Sequence, residues 1–176
     1  MVKKMVKIKN AVPNIFTLSN MSCGILSILM SFDSNYKLAA IFILLAGIFD
    51  RYDGKIARFL NVDGELGKEL DSLCDLVSFG VAPSILIFSI YNFAGLGPIG
   101  YLMVLVFPVA GAYRLAKYNI TDFDGVFSGI PITVTGTFLA LYAFFMFNRA
   151  SNLGPTMFLM VLLSYLMVSK FKFKKQ

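Results

Sequence analysis

Four aspartates, Asp50, Asp53, Asp71 and Asp75, stand at fixed spacing in the run FDRYDGKIARFLNVDGELGKELDSLCD, within an otherwise strongly apolar chain. A carboxylate at bilayer depth costs roughly 2.5–3.5 kcal/mol on insertion scales, so such acids persist where they pair, bind an ion or line a watery cavity. In helical register Asp50 and Asp53 are three apart and share one face, with Ala57 just beyond. Asp71 and Asp75 are four apart on the next helix, where Gly67 and Ser78 extend the same stripe. The turn signal between them, Asn61–Gly64, makes the two helices antiparallel neighbours, so the carboxylate pairs face each other. Carboxylates converging from facing helices are how helix bundles hold cations. The sequence contains no His, so acid–base work falls to carboxylates. Oxygen-only ligation favours a hard divalent ion such as Mg²⁺ or Mn²⁺.

The residues between the acids extend this chemistry. Gly54, Ala57 and Gly67 are small enough to let a bulky ligand approach the backbone, and Lys55 and Arg58 bring positive charge to the same level. Arg58 offers a bidentate fork to phosphate or to a carboxylate. Acids for metal, bare backbone and a guanidinium together suit a metal-bound phosphate ester, whose pyrophosphate chemistry needs its charge neutralised.

The elements that must position these groups are read from hydropathy. The chain has 176 residues, of which 57% are hydrophobic and 15% charged, with mean hydropathy +0.74. A soluble domain would carry roughly 25% charged residues. The expected fold is therefore an all-α integral membrane bundle of six transmembrane helices, near 14–32, 37–57, 69–91, 97–117, 127–147 and 153–169. These spans form a single domain, 1–176, with no room for a separate soluble unit. The first span is too long, and its start too rich in Asn and Thr, for a cleaved signal peptide, so it is expected to be retained. Pro13 suits the entrance of that helix. Asn14, Thr17 and Asn20 form a polar face that either joins helices or lines a polar site. Cys23 and Cys74 are expected as buried free thiols.

Net charge is +6, and its placement carries the information. With six spans, 14 of the 16 Lys and Arg residues fall on one face, leaving Lys37 and Arg149 on the other. The positive-inside rule then places both termini and the acidic segment on the cytoplasmic side of a multi-pass cell-membrane protein. The basic ends suit contact with anionic membrane lipid. Because the charges flank spans and form no soluble basic face, no nucleic-acid partner is expected. SFDSNYK (31–37), NFAGLGP (92–98) and RASNLGP (149–155) read as external turns, and YRLAKYNITDFDG (113–125) as a polar internal loop.

Residues 50–75 read D-x2-D-G-x2-A-R-x8-G-x3-D-x3-D without a departure. This pattern resembles the signature of the CDP-alcohol phosphotransferases, integral membrane enzymes of phospholipid synthesis. PNIFTLSNMSCGILSI, ELDSLCDLVSFGVAPS, YRLAKYN and FSGIP are similar to the integral-membrane phosphatidylserine synthase branch of that family. The resemblance implies two divalent ions, Mg²⁺ or Mn²⁺, bound by Asp50, Asp53, Asp71 and Asp75. It implies that Asp53, Gly54, Ala57, Arg58 and Gly67 contact the CDP-lipid and that Asp75 is the general base. The reaction it implies is transfer of the phosphatidyl group of CDP-diacylglycerol, or the corresponding group of CDP-archaeol, to the hydroxyl of L-serine, releasing CMP. A homodimer is expected by the same resemblance.

Serine is a zwitterion, so its pocket needs a cation for the carboxylate and acceptors for the ammonium. Arg114 is the candidate for the carboxylate, with Lys117, Asn119 and Ser78 in the same polar layer; for Arg114 and Lys117 ordinary flanking charge is the competing explanation. A sister enzyme making phosphatidylglycerol phosphate or an inositol phospholipid is the nearest rival, and its phosphorylated acceptor would need two or more basic groups. A transport pathway is the rival from another class. Such proteins spread acids over several spans or repeat an inverted half, whereas here the acids gather at adjacent helix ends.

Overall fold

The computed structural model describes the backbone of residues 2–60, 65–120, 126–148, 153–169 and 172–174, and the side chains of those ranges from Pro13 onward except in the two short strands. The turn at 61–64, residues 121–125 of the internal loop and Arg149 lie outside the described residues.

Among the described residues the chain forms six helical columns. They are α1 (Val2–Phe32), α2 (Tyr36–Leu60), a composite column, α5 (Pro98–Ile120), α6 (Ile132–Met146) and α7 (Leu153–Val168). The composite column runs as α3 (Glu65–Asp75), a π-helical stretch (Leu76–Val81) and α4 (Ala82–Ile90). A 3₁₀ turn (Phe93–Leu96) leads into α5. Among the described residues, the departure from all-helical structure is a three-residue antiparallel pairing of β1 (Val126–Ser128) with β2 (Lys172–Lys174).

Three columns contain segments long and apolar enough to cross a bilayer: Pro13–Phe32, Glu65–Ile90 and Pro98–Ile120. At 25 residues α2 has the length, but Lys37 at one end and Asp50, Arg51 and Asp53 near the other break its apolar run. The apolar α6 and α7 are shorter, at 15 and 16 residues, about 23 Å at 1.5 Å per residue. Large exposed apolar side chains, including Ile25, Leu29, Leu102, Leu105, Phe145 and Phe158, cover the outside, as expected of helices bathed in lipid.

Three boundaries differ from the sequence expectation. The fifth span, expected from 127, becomes helical only at Ile132, because Val126–Ser128 pairs as β1 and Pro131 then opens the helix. Helix α1 starts at Val2, so Pro13 lies inside it and not at its entrance; the hydroxyl of Thr17 donates to the Pro13 carbonyl at 3.2 Å. Helix α5 continues to Ile120 and takes in all of YRLAKYNI, which the sequence reading assigned to the start of a loop. Leu115, Ala116 and Lys117 are strong helix formers, and the stretch contains no Gly or Pro to stop them.

The α1–α2 turn shows why these columns are antiparallel. Ser34 adopts φ 58°, Asn35 N–H donates to Met30 O at 2.8 Å and Ser34 N–H to Ser31 O at 3.2 Å. This Schellman closure satisfies the last carbonyls of α1 and reverses the chain at once. Small residues then bring the columns close. Ala39, Ala40 and Ala46 are fully buried on α2, and Phe79, Leu86, Ile132, Leu139 and Met160 fill the centre. A methyl group added at Gly136 would collide with the Phe79 carbonyl, and one at Gly111 with Ile132. Close backbone approach at small residues is the usual means of packing helices in lipid, where burial alone gives no drive.

Candidate active site

The acidic end of α2 and the start of the composite column meet α1, α5 and the first turn of α6. Asp50, Asp53 and Asp71 each place a carboxylate oxygen so that all three lie within 4.8 Å of one another. At that spacing two bare carboxylates repel by roughly 3–4 kcal/mol at an effective dielectric near 20. Two of the oxygens, Asp53 Oδ2 and Asp71 Oδ1, are buried and have no hydrogen-bond partner. Orphaned acceptors on clustered acids are the donor set of a hard cation, so the residues fit a divalent metal.

Asp75 stands apart from that trio in its bonding. Asn20 Nδ2 donates to its Oδ1 at 3.1 Å, and Thr133 Oγ1 donates to its Oδ2 at 3.3 Å. Its carboxylate is buried, at 7% exposure, and is thus gripped from α1 and α6. The π-helical stretch begins immediately after it. Wider turns of this kind recur at functional sites because they re-aim the side chains that follow.

Gly54 and Gly67 leave open backbone beside the acids. A methyl group at Gly54 would meet only Arg58 Nη2, at 4.0 Å, and one at Gly67 only Asn14 Oδ1, at 3.9 Å. Arg58 is exposed, with Nε donating to Gly54 O at 2.8 Å. Its Nη2 lies beside the open glycine edge. Ala57 is half-buried on the same helix.

The four residues expected around the acceptor alcohol are placed differently from one another. Arg114 is half-buried on α5, and its Nε is buried without a partner. Lys117 is exposed one turn further on. Asn119 uses its amide to tie α5 to α3, donating to Ser72 Oγ and to Glu69 Oε1, both at 3.1 Å. Ser78 is fully buried, and its hydroxyl donates to the Asn20 carbonyl at 2.9 Å. Cys23 and Cys74 are free and buried, and Cys74 is packed among the aspartates without joining them as a ligand.

Sequence reading did not single out Thr133, and it left Asn20 between two roles. Both contact Asp75 across more than 50 positions of chain, and periodicity within one helix carries no such signal.

The family model described as CDP-alcohol phosphatidyltransferase matches residues 10–170. The chain is 39% identical to the CDP-diacylglycerol–serine O-phosphatidyltransferase of Bacillus subtilis (strain 168) over 165 residues, covering 93% of this chain and 90% of that protein. It is 36% identical to the archaetidylserine synthase of Methanothermobacter thermautotrophicus over 172 residues, covering 94% of this chain and 70% of the relative. A Helicobacter pylori (strain 26695) CDP-diacylglycerol–serine O-phosphatidyltransferase is 34% identical over 170 residues, with 92% and 70% covered.

Proposed function

The chain belongs to the CDP-alcohol phosphatidyltransferase family, and from that premise we propose that it transfers the phosphatidyl group of a CDP-lipid to the hydroxyl of L-serine. The observation that carries this reading is the convergence of Asp50, Asp53 and Asp71 beside the separately held Asp75. Relatives named for serine transfer, on diacylglycerol-based and archaeal lipids, support the acceptor and leave the lipid backbone open between CDP-diacylglycerol and CDP-archaeol.

Asp50, Asp53 and Asp71, together with Asp75, would hold a pair of divalent ions, Mg²⁺ or Mn²⁺. When bound, such ions neutralise the pyrophosphate and the departing CMP phosphate. Gly54, Ala57 and Gly67 admit the cytidine nucleotide, and Arg58 pairs with its phosphate. Asp75 takes the proton from the serine hydroxyl as that oxygen bonds to the lipid-side β-phosphorus. The phosphorus–oxygen bond to CMP breaks, giving phosphatidylserine, or archaetidylserine, and CMP. Arg114 pairs with the serine carboxylate through the side where its Nε has no partner, and Lys117 adds charge at the mouth. Ser78 and Asn119 shape this layer through the groups they hold.

In this reading residues 1–176 are one catalytic domain of six membrane-crossing columns in the cell membrane, with both termini and the site at the cytoplasmic face, assembled as a homodimer. The test is CMP release by purified protein in mixed micelles with CDP-diacylglycerol, Mg²⁺ or Mn²⁺, and serine, glycerol 3-phosphate or inositol phosphate as acceptor. Serine-dependent release that stops on chelation is expected. Release with a phosphorylated acceptor and none with serine would overturn the acceptor assignment.

A further inference from the structure

Asn20 sits at zero exposure in the middle of α1, level with the carboxylate of Asp75. Its Nδ2 faces Asp75 because an ionised carboxylate only accepts hydrogen bonds. That orientation turns Oδ1 away, where it is buried and has no partner. A buried acceptor without a donor is costly, and an apolar residue of similar size would avoid the cost. The chain nevertheless holds this side chain firmly. Ser78 Oγ donates to the Asn20 carbonyl, and α1 comes close enough for that bond only because residue 24 is glycine. A methyl group at Gly24 would stand 2.5 Å from Ser78 Oγ and 2.8 Å from Ser78 Cα.

From the other side, Thr133 donates to the second oxygen of Asp75 from the first turn of α6. Two donors from different helices fix the plane of the carboxylate, so that its remaining lone pairs have one direction. A base aimed in this way meets its proton in a narrow geometry, and small misplacements lose large factors in rate.

Building on the catalytic reading above, we infer that Asn20 is a substrate-contacting residue and Thr133 a positioning residue for the transfer step. Asn20 Nδ2 and Thr133 Oγ1 together aim Asp75 at the acceptor hydroxyl, and Asn20 Oδ1 accepts a hydrogen bond from the acceptor itself. For an amino-alcohol acceptor the matching donor is the ammonium group, which leaves the carboxylate to Arg114 at the far side of the same substrate.

The test compares Thr133→Val, Thr133→Ser and Asn20→Leu with the unaltered protein in the CMP-release assay, with thermal midpoints measured in detergent. Thr133→Val keeps the shape and removes the donor; a fall in kcat of about tenfold or more is expected, with the KM for CDP-lipid and the metal concentration for half-activation unchanged. Thr133→Ser restores the donor and should return kcat to within about threefold. Asn20→Leu should lower kcat and also raise the acceptor KM about tenfold. Unchanged kcat in Thr133→Val and Asn20→Leu overturns the inference. So does a loss that tracks a lower thermal midpoint and is not restored by serine at position 133. An unchanged acceptor KM in Asn20→Leu removes the substrate contact. Each comparison is made with whichever acceptor the unaltered protein uses, so failure of the serine assignment is recognised separately, in the unaltered protein.

Discussion

At the scale of single residues, the four aspartates of the signature are chemically unequal. Asp50, Asp53 and Asp71 share a space too small for three unscreened charges, while Asp75 is fixed by two neutral donors. The first arrangement suits a cation, and the second directs a lone pair. Asp75→Asn keeps size and hydrogen bonding but removes the basic oxygen. It should lower kcat by about 10²–10⁴-fold, the usual contribution of a general base, while CDP-lipid binding and its metal dependence persist. Full activity in that variant would remove the base assignment. Arg114 presents the complementary case, a guanidinium with a buried Nε that no protein group satisfies. Removing a hydrogen bond to a charged group costs about 1.5–3 kcal/mol, so Arg114→Ala should raise the serine KM by roughly 10–100-fold and spare the KM for CDP-lipid. Serine kinetics that do not change would sink this assignment.

At the scale of elements, the site depends on how closely α1 lies against the π-helical stretch. Gly24→Val would push Ser78 away, release the Asn20 carbonyl and move Asn20 off Asp75. Overpacking of this kind costs about 1–3 kcal/mol, so a lower thermal midpoint in detergent is expected, with kcat falling more steeply than CDP-lipid affinity. A variant with the midpoint and kcat of the unaltered protein would show that α1 tolerates the displacement. This coupling also explains what could be read from sequence and what could not. The pairs Asp50/Asp53 and Asp71/Asp75, the open glycines and the antiparallel helices follow from spacing within about 25 residues of chain, where helical geometry dictates neighbours. Ser78 was extrapolated along an α-helical stripe from Asp71. Through the wider turns after Asp75, Ser78 still faces α1 as Asp75 does, and its hydroxyl is used on the Asn20 carbonyl. Asn119 was grouped with the acceptor by its place after α5, yet the extension of that helix to Ile120 carries its amide to Glu69 and Ser72. Thr133 and Asn20 meet Asp75 only through tertiary packing, which hydropathy and periodicity do not encode.

At the scale of the whole molecule, the arrangement of charge and the tight reversals make one topology consistent. The α1–α2 turn and the 3₁₀ turn before α5 expose Asp33 and Ala94, and neither lies near the aspartate cluster. The opposite end carries Glu65, Lys68 and the aspartates at the start of the composite column. With 14 of 16 basic residues assigned to that end in a six-column reading, the positive-inside rule would put it on the cytoplasmic side, as proposed above. A site at the aqueous edge of the bundle matches the chemistry, since a serine acceptor is water-soluble and CMP must leave into water. Lipid chains would meanwhile lie against exposed apolar side chains such as those of α5. Single cysteines placed at Asp33, Ala94 and Glu65, in a chain with Cys23 and Cys74 replaced by Ala, test this arrangement. A membrane-impermeant maleimide added to intact cells should modify the first two and reach the third only after permeabilisation. Labelling of position 65 in intact cells, with protection at 33 and 94, would invert the topology and place the site outside. Opposite accessibility at 33 and 94 would break the six-column reading, because two crossings, α2 and the composite column, separate those turns.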